Sequence, residues 1–96
     1  MKKVLVLGST GMLGHIVHHF LDSTKRYDLH NLSFRNKLNS KTIILDVTNQ
    51  KKLLNKIQEI APDVIINCIG ILIKGSEKSI KNAIYINAYF PHLFKE

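Results

Sequence analysis

Val4-Leu5-Val6-Leu7-Gly8-Ser9-Thr10-Gly11-Met12-Leu13-Gly14 is the stretch that decides the fold. Four consecutive apolar residues between Lys3 and Gly8 read as a strand buried on both faces of a parallel sheet. Beyond the glycines the spacing changes. Met12, Leu13, Ile16, Val17, Phe20 and Leu21 recur at intervals of three and four, while His15, His18, His19 and Asp22 take the other face, which predicts an amphipathic helix with its apolar side on the sheet. The Gly-x-x-Gly-x-x-Gly run therefore sits between a buried strand and a helix N-terminus. There the first glycine permits the tight turn, the second lets backbone N–H groups approach an anion, and the third lets the helix pack closely on the strand. That context points to a pyrophosphate-holding loop built from Gly8, Ser9, Thr10, Gly11, Met12, Leu13 and Gly14.

Downstream, Tyr27 to Phe34 reads as a second, less hydrophobic strand nearer an edge, and Thr42 to Leu45 as a third short strand. Asp46-Val47-Thr48-Asn49 forms a turn and helix entry, each polar residue being able to cap. Leu53, Leu54, Ile57 and Ile60 give the second helix its apolar stripe, and Pro62 stops it. Asp63 to Asn67 is a fourth buried strand ending on a polar residue. Ile69 to Gly75 reads as an apolar loop. A third helix is expected over about Glu77 to Ala88, with Ile80, Ala83, Ile84 and Asn87 on one side. The order β-α-β-β-α-β-α predicts an α/β fold, a Rossmann-like parallel sheet with helices on both faces.

The 96 residues fit one unit, 45% hydrophobic and 22% charged, enough apolar content for a core. No apolar run approaches the roughly 20 residues that cross a bilayer, so no membrane partner is expected. Cys68 is the one cysteine, which excludes an internal disulfide or a cysteine-based metal site and fits a cytoplasmic location. Fourteen Lys and Arg against seven Asp and Glu give a net charge of +7, yet the cations are scattered and no nucleic-acid motif accompanies them. Surface solubility accounts for the charge, and no nucleic-acid partner is expected. His15, His18 or His19 with Asp22 has metal-ligand spacing, but a polar outer helix face is the normal place of such residues, and no metal is expected.

The end of the second strand carries the cofactor preference. Dinucleotide folds that prefer NAD place an acid about 20 residues past the glycines, on the ribose hydroxyls. No acidic residue lies between Asp28 and Asp46 here, and Ser33-Phe34-Arg35-Asn36-Lys37 occupies that place. A hydroxyl and two cations suit a 2′-phosphate, so Ser33 and Arg35, with Lys37 behind them, favour NADP over NAD.

With the glycine spacing, Asp46-Val47-Thr48, the strand end Asn67-Cys68-Ile69-Gly70 and Asn87, the whole chain resembles the N-terminal part of an extended short-chain dehydrogenase/reductase. Within that superfamily, Ala61 to Cys68 and Asn87-Ala88-Tyr89-Phe90-Pro91 are similar to dTDP-4-dehydrorhamnose reductases and their sugar-nucleotide relatives, whose substrates are nucleotide-linked 4-keto sugars in polysaccharide or cell-envelope pathways. The resemblance implies that Asp46 and Val47 contact the adenine, that Cys68, Ile69 and Gly70 line the middle of the cofactor, and that Asn87 supports the active site from its helix. Each has a plain alternative: a helix cap for Asp46, an inert buried thiol for Cys68, a hydrogen bond to buried backbone for Asn87. The family also needs a Tyr with a Lys four residues later. Tyr27, Tyr85 and Tyr89 have Asn31, Tyr89 and Leu93 there. The chain is accordingly expected to be the N-terminal portion, residues 1–96, of a larger NAD(P)-binding domain, holding the cofactor but inactive alone. For the parent, reduction of a nucleotide-activated keto sugar is expected. Epimerisation or dehydration of a nucleotide sugar and a non-enzymatic NAD(P)-sensing module are the alternatives. An uncovered sheet edge and helix face would leave a homodimer open to it.

Overall fold

Alternation along the first strand, β1 (Lys2–Leu7), sorts the whole core. Leu5 and Leu7 point to one face of the sheet and join Leu32, Leu53, Ile57 and Ile65. Val4 and Val6 point to the other and join Leu29, with Val17, Leu21, Val64 and Ile66 packed around them. Both faces of β1 are thus covered by apolar side chains, as a continuous apolar run requires. A computed structural model describes residues 1–46, 48–69 and 83–87 of this arrangement.

The elements in order are β1, α1 (Met12–Thr24), β2 (Tyr27–Ser33), β3 (Thr42–Ile44), α2 (Gln50–Ile60), β4 (Val64–Asn67) and β5 (Ile84–Asn87). The strands form one sheet in the order β3-β2-β1-β4-β5, and every pairing is parallel. α1 covers one face and α2 the other, which is the Rossmann-like α/β architecture. The chain reverses direction across the sheet between β1 and β4. The C-terminal ends of these two neighbours flank the crevice where ligands of such sheets sit.

Local causes set the boundaries. Asn49 caps α2 by accepting a hydrogen bond from the Lys52 amide at 3.2 Å, and Ala61 ends it in the left-handed conformation just before Pro62. Lys3 then ties the α2–β4 turn to β1. Its amide donates to Asp63 Oδ2, its carbonyl accepts from the Asp63 amide, and its ammonium donates to the Ile60 carbonyl, each at 2.8 Å. A cation on one of the last carbonyls of a helix also suits the helix dipole.

Two expectations are corrected. The segment read as the end of a third helix is, over Ile84–Asn87, the strand β5, in register with Val64 to Asn67. Ile84, Tyr85 and Ile86 are residues that favour a pleated strand, and pairing with β4 outweighs the three-and-four spacing. Asn87 therefore ends a strand opposite Asn67. Residues 77–82 and Ala88 of that expected helix, and the loop from Gly70, lie outside the described residues.

The second correction is the rotation of α1. Val17 and Leu21 pack on the sheet, but Met12, Ile16 and Phe20 are 79%, 57% and 65% exposed. His18, assigned to the wet face, is 7% exposed. At 100° per residue the side formed by residues 14, 17, 18 and 21 lies about 100° from the centre of the apolar arc. The cause is Gly14, which is pressed against Gly8. A Cβ on Gly14 would overlap the Gly8 carbonyl, so residue 14 and its neighbours 17, 18 and 21 must face the strand.

Candidate functional site

The turn between β1 and α1 is fixed by backbone bonds to β2. The amides of Gly8 and Ser9 both donate to the Leu32 carbonyl, at 2.8 and 3.2 Å, and the Gly11 amide donates to the Gly8 carbonyl at 3.1 Å. Gly8 has φ of +81°, where L side chains are strained, and a Cβ there would stand 2.5 Å from Ile69 Cγ2. Ile69 belongs to the turn after β4. The first glycine thus allows two strand-end loops to meet.

α1 begins with no side-chain cap and no acid in its first turn. Its first intrahelical bond runs from the His15 amide to the Gly11 carbonyl at 2.8 Å. Among the described residues no group accepts from the amides of Met12, Leu13 or Gly14. Three aligned N–H donors at the positive end of a 13-residue helix, without a competing carboxylate, suit an anion. Gly11 adds room, since a Cβ there would meet the Gly8 oxygen only at 3.4 Å.

The two hydroxyls of the loop turn to β2. Ser9 Oγ donates to Asn31 Oδ1 at 2.9 Å, and Thr10 Oγ1 shares a hydrogen bond with Ser33 Oγ at 2.8 Å. Ser33 is 1% exposed. Its hydroxyl anchors the loop, leaving the exposed Arg35 and Lys37 as the groups open to a ligand beyond β2. The Arg35 guanidinium lies over the Phe34 ring, 4.9 Å from its centroid, a cation–π contact that holds the charge at the strand end.

Asp46 stands exposed after β3. Its Oδ1 accepts from the Thr48 hydroxyl at 2.6 Å and amide at 2.9 Å, and these bonds lower its carboxyl below the usual value. Asp46 shapes the turn, while Asn49 caps the helix. Val47 and Gly70 lie outside the described residues. After β4, Asn67 Oδ1 accepts from the Ile69 amide at 3.1 Å, and its amide group donates to the Tyr85 hydroxyl at 2.9 Å. Cys68, partly buried on the α1 face, has its thiol pushed up to about 11 by burial. It packs against the cluster of Val4, Val6 and Leu29 and carries little thiolate at neutral pH.

Asn31 and Asn39 were not singled out from the sequence, though an Asn two residues after Leu29 and two before Ser33, on the same side of an expected strand, is a signal for a buried hydrogen-bond hub. His18 faces inward while His15 and His19 are exposed, and among the described residues no three metal-ligating side chains converge. A hollow of about 310 Å³ between α1 and residues 39–41 lies at the start of β2, toward the opposite end of the sheet from the glycine loop.

This geometry, with a glycine-lined helix N-terminus between the ends of β1 and β4, agrees with the comparisons. Residues 4–90 match the model of the NAD dependent epimerase/dehydratase family. The chain belongs to that family. No curated protein sequence matches it. Among solved structures, dTDP-glucose 4,6-dehydratase from Bacillus anthracis in complex with NAD is similar at a TM-score of 0.66 and 16% identity, over 91% of this chain and 37% of that one. L-threonine dehydrogenase from Clostridium difficile is similar at 0.60 and 26%, over 81% and 27%. Glycinamide-RNase-transformylase T from Mycobacterium tuberculosis shares the fold at 0.70 and 11%, over 90% and 26%. This member of the family thus spans 26% to 37% of the length of these structures. Among its described residues no helix is long and apolar enough to cross a membrane.

Proposed function

We propose that this chain holds the dinucleotide for an oxidoreductase acting on a nucleotide-activated 4-keto sugar, with NADP preferred over NAD. The observation that carries the reading is the set of amides of Met12, Leu13 and Gly14, which have no acceptor among the described residues, beside the Gly8–Gly14 contact. These amides would hold the pyrophosphate. Arg35, steadied on Phe34, and Lys37 would take a 2′-phosphate, and no carboxylate between Asp28 and Asp46 would repel it. Asp46 and Val47 would meet the adenine, and Cys68, Ile69 and Gly70 the middle of the cofactor, with Asn87 as support. The bound nicotinamide would supply the hydride, and the protein would orient it and supply electrostatics.

Epimerisation or dehydration of a nucleotide sugar is the second reading, favoured by the family's description and by the likeness to a dTDP-glucose 4,6-dehydratase. Both readings need the same loop. Titration of the chain with NADPH and NADH, followed by nicotinamide fluorescence, tests the cofactor claim. Tighter NADPH binding that Arg35→Ala removes is expected. Equal affinity for the two would overturn the NADP preference, and no binding by the folded chain would overturn the dinucleotide reading.

A further inference from the structure

Asn31 is fully buried in the middle of β2, on the face of the sheet that carries α1. A primary amide in such a place is costly unless its oxygen and its N–H groups find partners. Both ends of Asn31 are used, and in opposite directions. Its Oδ1 accepts from Ser9, in the glycine loop, and its Nδ2 donates to Asn39 Oδ1 at 3.1 Å, in the β2–β3 crossover. Asn39 Oδ1 also accepts from the Lys41 amide at 2.9 Å and from Thr42 Oγ1 at 3.3 Å. Thr42 Oγ1 in turn accepts from the amides of Leu38 and Asn39, both at 2.9 Å. A continuous relay runs from Ser9 through Asn31 and Asn39 to Thr42.

The segment 34–37, with Arg35 and Lys37, is strung between two anchors. At its start Ser33 is bonded to Thr10, and just past its end Asn39 is bonded through Asn31 to Ser9. Both anchors lead back to the same loop. We propose that Asn31 is a positioning residue that sets where the two cations stand relative to the glycine loop, and thereby the discrimination between a 2′-phosphate and a free 2′-hydroxyl. This inference rests on the dinucleotide reading above. Asn31 touches no ligand itself. It acts through Ser9 and Asn39.

The test compares Asn31→Leu, of similar volume and without polar atoms, and Asn39→Ala, which cuts the relay in the crossover and leaves the strand intact. Each is titrated with NADPH and NADH beside the unaltered chain. A fall of about fivefold or more in the NADPH-to-NADH affinity ratio in both variants is expected, the size of coupling seen within hydrogen-bond networks. A merely structural Asn31 would lower thermal stability and leave that ratio alone. If Asn31→Leu does not fold, Asn39→Ala decides. Folded variants that keep the ratio of the unaltered chain overturn the positioning role and spare the dinucleotide reading. An unaltered chain that binds neither dinucleotide, or both equally, overturns that reading or its NADP preference, and the positioning role with it.

Discussion

The Cα of Gly14 lies so close to the carbonyl oxygen of Gly8 that no side chain can be built between them. One contact between the first turn of α1 and the end of β1 sets the spacing and the rotation of the helix. It also separates two demands on the glycine run. Gly14→Ala should cost about 3 kcal/mol, the upper end of overpacking penalties, because the obstacle is backbone. Gly11→Ala, at an N-cap with ordinary contact distances, should cost less than about 1 kcal/mol yet weaken dinucleotide binding. Thermal melts beside NADPH titrations check the pair. Equal destabilisation by both would sink the distinction.

Burial lowers the pKa of His18 below its ordinary 6.5, against the opposing pull of Asp22. The folded chain therefore takes up the proton less readily than the unfolded one. Stability should be full above pH 6.5 and fall as the pH drops from there toward the lowered folded value. His18→Leu should flatten that part of the curve. Denaturant melts at pH 5.5 and 7.5 measure it, and an unchanged slope in the variant would exclude His18 as its source.

The exposed side of α1 predicts a contrast between adjacent residues. Ile16→Gln should change stability by no more than about 0.5 kcal/mol, as surface substitutions do. Val17→Ala, which removes methyls packed against Val4 and Val6, should cost about 1 kcal/mol or more. Urea midpoints of the two variants decide whether the helix is rotated as described.

Cys68, with its thiol near 11, should react slowly with iodoacetamide at pH 7.5 in the folded chain and faster in urea, where burial is gone. Equal rates in both conditions would contradict the burial.

Much of this was legible because its causes are local. The apolar run Val4 to Leu7, the three glycines and the capping Asn49 each announce an element within a few residues. The rotation of α1 was not legible. Six apolar residues span half the helix circumference, and which of them reach the sheet is decided by where Gly14 meets Gly8. Ile84 to Asn87 satisfies both a helical and a strand spacing, and only pairing with β4, some 20 residues earlier, separates them. The relay through Asn31 joins residues 22 apart on one side and 8 on the other, so no local pattern reveals it. Ser33 stands at the strand end as its place in the sequence suggests, while its bond to Thr10, 23 residues away, has no local signal.

The anchoring of Lys3 to Asp63 and Ile60 bears on how the chain can be handled. Met1 emerges at the end of β1 opposite the glycine loop, about 20 Å away at roughly 3.3 Å per strand residue. A tether or fluorophore at the N-terminus would hang beneath the sheet, beside a clamp of three hydrogen bonds. A chip-bound chain would then present its helix N-terminus to the solution.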